Sequence, residues 1–154
     1  WANEGFTDAL GLTDQEDGEA NTQKMRESGI AANIPILEYC KDGWYLPARN
    51  EMEAVFNAYN GGPSQSSGLK PDAIKQEEKD ARAAWDKILT DNGGDVMNVK
   101  ADNTAGDSYF TSTEADDASK VFYVRFGQWN PGLTGAKYAK SPARYVRCIR
   151  KISK

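Results

Sequence analysis

Two cysteines, Cys40 and Cys148, stand 108 positions apart in a 154-residue chain that has no histidine. Without histidine, neither a Ser–His–Asp nor a Cys–His relay can be assembled. Two thiolates alone do not make a zinc site either. Joined as a disulfide, they would close a loop worth up to about 4–5 kcal/mol in the chain-entropy view. Left apart, they would be two small buried thiols. Glu51 and Glu53 offer the paired carboxylates of glycosidase chemistry. On a helix, however, residues two apart point in different directions. Glu51 and Glu114 read instead as internal partners for Arg147 or Arg49. Arg147 shares strand parity with Tyr145 and Ile149, and a half-buried guanidinium needs a carboxylate. Hard oxygen ligands for Ca²⁺ cluster at Asp14–Glu19 and Asp91–Asp95. Neither run follows the EF-hand ligand order, so solvated turns are the plainer reading. The expectation is no cofactor and no metal site, with Ca²⁺ the one ion the residue types allow.

The surrounding composition is that of a soluble globular domain, with 39% hydrophobic and 27% charged residues. A length of 154 residues suits one domain with a true core. No apolar run is long enough to span a membrane. The chain opens on Trp1 rather than Met, which predicts a segment removed upstream: a signal, a lipid-anchor segment or another domain. Charge is split between the ends. Trp1–Ala20 carries Glu4, Asp8, Asp14, Glu16, Asp17 and Glu19 with no basic residue, and Ala136–Lys154 is basic with no acidic one. The net charge of −4 argues against a nucleic-acid partner, and the two ends are expected to neutralise each other in the fold.

Several elements follow from periodicity and punctuation. Trp1–Gly18 reads as a short strand and a loop. Asn21 and Thr22, both N-cap types, predict a helix over Thr22–Glu27. Pro35 suits the first turn of a further helix reaching Cys40 or Lys41. Met52, Val55, Phe56 and Tyr59 make a core-facing stripe on a helix over Arg49–Tyr59. Asp72 is placed to cap a helix over Ala73–Thr90, with Ile74, Ala81, Trp85 and Ile88 along one side and Lys75–Asp80 solvated. Asn92-Gly93-Gly94 ends it. Strands follow at Tyr109–Ser112 and Ser119–Phe126, the second apolar on both faces and therefore central. Gly127–Lys140 reads as a long polar loop, and Ala143–Ile152 as the last strand. Helices first and strands last predict an α+β fold on an antiparallel sheet.

In order along the chain stand Cys40, Gly43-Trp44-Tyr45-Leu46-Pro47-Ala48-Arg49-Asn50-Glu51-Met52, Tyr109-Phe110-Thr111-Ser112-Thr113-Glu114 and Val146-Arg147-Cys148-Ile149-Arg150. Together these resemble the C-type-lectin-like fold in its bacterial secreted form. That form includes the Fibrobacter succinogenes major paralogous domain group and the C-terminal domain of a collagen-like adhesin. The likeness spans about Asp17 to Lys151. It implies two to three helices packed on a twisted antiparallel sheet with long loops, and a Cys40–Cys148 disulfide. It further implies a single domain over 1–154, the C-terminal part of a longer exported protein, secreted or held at the cell surface. Tyr109-Phe110 stands where relatives more often carry Tyr-Trp. The fold also hosts the formylglycine-generating enzyme, but this chain lacks a second active-site thiol. Sugar-binding lectins of the fold use Ca²⁺ beside a Trp-Asn-Asp element, which Gln128-Trp129-Asn130-Pro131 matches only in part.

The resemblance therefore implies a non-catalytic, adhesin-like binding module with a glycan or protein ligand, or a pilus or surface-complex subunit that recognises nothing foreign. The exposed loop face would present Asp107, Tyr109, Asp116, Asp117, Gln128, Trp129, Asn130, Lys137, Tyr138 and Lys140. Aromatic rings among Asn, Asp and Lys suit sugar stacking or protein contact. Trp129 leads as the ligand contact, and its alternative role is an anchor folded back onto the sheet.

Overall fold

A computed structural model describes residues 1–62, 75–97, 99, 108–117, 119–126, 132–140 and 144–152, with 132–139 followed through the backbone. Helix α1 spans Gly18–Glu27, α2 Arg49–Tyr59 and α3 Gln76–Asp91. Strands β1 (Ser108–Glu114), β2 (Lys120–Arg125) and β3 (Gly132–Ala139) form an antiparallel sheet in the order β1-β2-β3. The α+β expectation holds, and β2 is central as its two apolar faces require.

Helix α1 begins four residues before its expected start. Asp17 is the true N-cap, its carboxylate accepting from Ala20 N at 3.0 Å. Asn21 and Thr22 lie inside the helix, fully buried, and bond outward. Asn21 Nδ2 donates to Asp14 O (2.7 Å) and Ser112 Oγ (3.2 Å), while Thr22 Oγ1 accepts from Leu46 N (3.0 Å). The Trp1–Gly18 segment contains no strand; Leu12 O instead accepts from Glu114 N at 2.8 Å. Around Pro35 the chain makes two 3₁₀ turns, Ala31–Asn33 and Pro35–Glu38, rather than one helix. Asp42 (φ 56°) and Gly43 (φ 83°) then adopt left-handed backbone, which Asp and Gly tolerate best. That turn brings Tyr45 to an antiparallel bridge with Ile149.

Helix α2 has the expected boundaries, and Met52, Phe56 and Tyr59 are buried. Helix α3 differs from expectation in its orientation. Glu78 and Arg82 are buried, whereas Trp85 and Ile88 face outward. Arg82 Nε donates to Asn60 Oδ1 at 2.8 Å, and its guanidinium lies 5.3 Å from the Tyr59 ring. Polar pairing thus turns α3 away from the orientation its apolar residues suggested. Asp72 and Ile74 lie outside the described residues.

Every residue of β1 is buried. One edge of β1 pairs with β2; its other edge is covered piecemeal. Ser112 N donates to Pro47 O (2.8 Å), Phe110 N to Tyr145 O (3.2 Å) and Tyr145 N to Ser108 O (3.1 Å). Strand β3 replaces most of the loop expected over Gly127–Lys140. Its Gly and polar residues read as turn, but an edge strand needs only one partner, and β2 supplies it. Of the expected last strand, Ala143–Ile152, the described residues make two isolated bridges, Tyr109–Tyr145 and Tyr45–Ile149, and no ladder. They run from one neighbour to another.

Two cores result. One gathers Leu12, Met25, Ile34, Leu46, Phe110 and Val121 around Cys40. The other centres on Phe126, with Tyr109, Phe56 and Tyr59 ring centroids 5.0, 5.2 and 5.8 Å away.

Candidate functional site

Cys40 and Cys148 are bonded to each other, with Cα atoms 5.4 Å apart. The bond ties the end of the second 3₁₀ turn to the C-terminal run and removes both thiols from nucleophilic chemistry.

The carboxylates singled out above are internal, as expected, but their partners differ. Glu51 Oε2 accepts from Gly18 N (2.9 Å) and Ala48 N (2.8 Å), and Oε1 accepts from the Tyr45 hydroxyl (3.0 Å). One carboxylate thus sits at the N-termini of α1 and α2, where the helix dipoles favour negative charge. Burial and the Glu51 charge, with that hydrogen bond, push Tyr45 up to about 12. Glu114 accepts from Leu10 N and Leu12 N at 3.0–3.1 Å and pairs with Lys140 Nζ at 2.5 Å. Lys140 is fully buried, donates also to Asp8 O (2.6 Å), and lies 5.1 and 5.3 Å from the Trp1 and Phe6 rings. Neither carboxylate meets an arginine. Arg49 lies 4.6 Å from the Phe122 ring, and Arg147 Nη2 donates to the carbonyls of Asp95 (2.9 Å) and Val96 (3.2 Å).

The expected loop face is correspondingly reduced. Tyr109 is only 2% exposed and stacks among Phe126 and Tyr145, so its ring belongs to the core. Lys140 leaves the face for its buried pair with Glu114. Lys137 and Tyr138 fall on β3, with Tyr138 opposite Val121. Asp107, Gln128, Trp129 and Asn130 lie outside the described residues. Asp116 and Asp117 are exposed where β1 turns into β2. Asp117 is held well below the usual carboxylate range by Lys120, 2.7 Å away, and by the Ser119 hydroxyl and amide.

The two acidic runs make turns. Asp14 Oδ1 accepts from Glu16 N (2.8 Å) and Asp17 N (2.9 Å), and these bonds lower its pKa. Among the described residues no group of three or more acidic or thiol side chains is arranged to hold a metal ion. The charged ends do meet: Lys151 Nζ lies 2.9 Å from Glu19 and 3.5 Å from Asp17. No described helix is long and apolar enough to cross a membrane.

One concave surface among the described residues was not anticipated. A groove of about 590 Å³ opens between α3 and the C-terminal run, bordered by Trp44, Tyr59, Trp85, Ile88, Arg147 and Arg150. Among the described residues its lining contains no Lys, Asp or Glu. The signal lay in the Trp85/Ile88 spacing, which marks an apolar face without saying what covers it. Comparison of the chain with protein-family models, curated proteins and solved structures finds no match.

Proposed function

We propose that the chain is an exported, non-catalytic binding module of C-type-lectin-like fold, adhesin-like in role. One observation carries the reading: the side chains that could do chemistry are engaged by the scaffold. Glu51 gathers two helix starts, Glu114 is matched with Lys140 and two backbone amides, and the cysteines are bonded to each other. Recognition then falls to Trp129, Asn130, Gln128 and Asp107, together with Lys137 and Tyr138 of β3. The ligand is a glycan or protein on a host or neighbouring cell, bound without a cofactor. Binding to glycan and cell-surface protein arrays tests this, comparing the parent chain with Trp129→Ala. Loss of about tenfold or more in affinity on the same ligand is expected. A variant that binds as the parent does removes Trp129 from the site.

A second reading has its own support. The apolar groove, with exposed Trp85 and Ile88, suits a subunit of a pilus or surface complex that packs against a neighbour.

A further inference from the structure

We propose that the groove between α3 and the C-terminal run docks a segment of a partner protein that presents large apolar side chains beside a carboxylate. The inference deepens the second reading above and is independent of the loop face.

Composition argues first. Cores of protein interfaces are enriched in aromatic residues, Met and Arg and depleted in Lys, Glu and Asp. The groove holds Trp44, Tyr59, Trp85, Met97, Arg147 and Arg150 and, among the described residues, no Lys, Glu or Asp, in a chain that is 27% charged. Exposure argues next. Trp44 is 40% exposed, Trp85 37%, Ile88 55% and Ile152 81%. Side chains standing this far into solvent border an open face rather than an enclosed small-molecule cavity. A sugar is poorly served there, because the described lining offers Asn92 as its one side-chain amide and is otherwise mostly apolar.

Charge selects the partner's chemistry. Arg150 stacks on Trp44, 4.9 Å from the ring centroid, and forms no ion pair with a described carboxylate. Arg147 is fixed through Nη2 by two backbone carbonyls. Lys151, next in the chain, is by contrast already paired with Asp17 and Glu19. Two acids of α3 that lie outside the lining are already engaged: Asp86 accepts from Tyr59 Oη (3.2 Å) and Met97 N (3.3 Å), and Asp91 pairs with Lys87 (2.7 Å). The groove is therefore apolar with one cationic side. A neutral apolar segment would desolvate the guanidiniums without compensation, and a basic one would be repelled. A carboxylate supplies the charged partner that exposed Arg150 lacks among the described residues.

The test selects a display library of random peptides of about twelve residues on the disulfide-intact chain, with counter-selection on Trp85→Ser/Ile88→Ser. Both positions are exposed, and near-ultraviolet circular dichroism checks that the double variant keeps the fold. Enriched peptides are expected to combine large apolar residues with Asp or Glu. They should bind the double variant about tenfold or more weakly, and Arg150→Glu should shift preference by a similar factor toward Lys-substituted versions. Three results overturn the proposal: no enrichment that depends on Trp85 and Ile88, enriched peptides indifferent to Glu→Lys exchange, or self-association of the chain through the same residues, seen by sedimentation. Trp129→Ala should leave peptide binding unchanged, so failure of the loop-face reading and failure of the groove are read separately.

Discussion

Lys140 shows how far a single residue can depart from its type. In sequence it is one of seven cations in a basic tail. In the fold it is fully buried, and its ammonium meets Glu114, Asp8 O and two aromatic rings. Removing one member of such a pair leaves the other desolvated and uncompensated, at a cost of about 3–5 kcal/mol. Glu114→Ala should cost more than Lys140→Met, because it also strips the acceptor from Leu10 N and Leu12 N. Urea denaturation of the two variants measures the order. Strand parity announced that a buried charge must be matched. It named the wrong cation, since Arg147 satisfies itself on backbone carbonyls. Tyr45 gives a pH-dependent counterpart. Its phenol ionises at about 12 instead of 10 in the fold, so the folded state holds the proton longer than the unfolded state does. The stabilisation is intact below pH 10 and is lost as pH rises from 10 through about 12. Tyr59 is raised in the same direction by burial and Asp86. Urea denaturation across that window should show falling stability, with a shallower fall in Tyr45→Phe.

Elements were legible where a single period decided them. Helix α2 carries a full stripe, and its ends follow. Helix α3 carries Trp85 and Ile88 at helical spacing, yet those residues border an open groove, and the Arg82–Asn60 bond sets which side faces inward. Periodicity reports that an apolar face exists; the partner of that face lies outside the pattern. Strand β3 was hidden because Gly and polar residues suffice on an edge. The start of α1 is set by the Asp17 cap together with a close approach at Gly18. A Cβ at Gly18 would run into Ala48 N, Leu46 O and the Glu51 carboxylate, which lie where α1 crosses the start of α2. In a free helix Gly→Ala would gain about 1 kcal/mol. Here the crowded atoms are mostly backbone, so Gly18→Ala should instead destabilise by about 1–3 kcal/mol. A lowered melting temperature is the expected result, and a raised one would place α1 farther from α2 than the structure has it.

At the scale of the whole molecule, the C-terminal run is the piece that most needs fastening. Residues 144–152 belong to no strand, yet they cover an edge of β1, bridge Tyr45 and wall the groove. Two isolated bridges and the Lys151 ion pairs hold them beside the disulfide. Exposed ion pairs contribute little. The staple therefore acts where backbone pairing is thinnest, and it closes a separation of 108 residues. Cys40→Ser/Cys148→Ser should lose about 2–5 kcal/mol of global stability. The loss should also be uneven. Tyr45 N and Ile149 N, bonded to each other's carbonyls at 2.8 and 2.9 Å, should exchange hydrogen faster than the rest of the core. Amides within the β1–β2 ladder, buried under two cores, should keep protection up to the reduced global limit. A uniform rise in exchange across both regions would mean that the staple acts on the unfolded chain alone. Faster exchange confined to Tyr45 and Ile149 would place its action on the native fold, where it holds the C-terminal run and with it one wall of the groove.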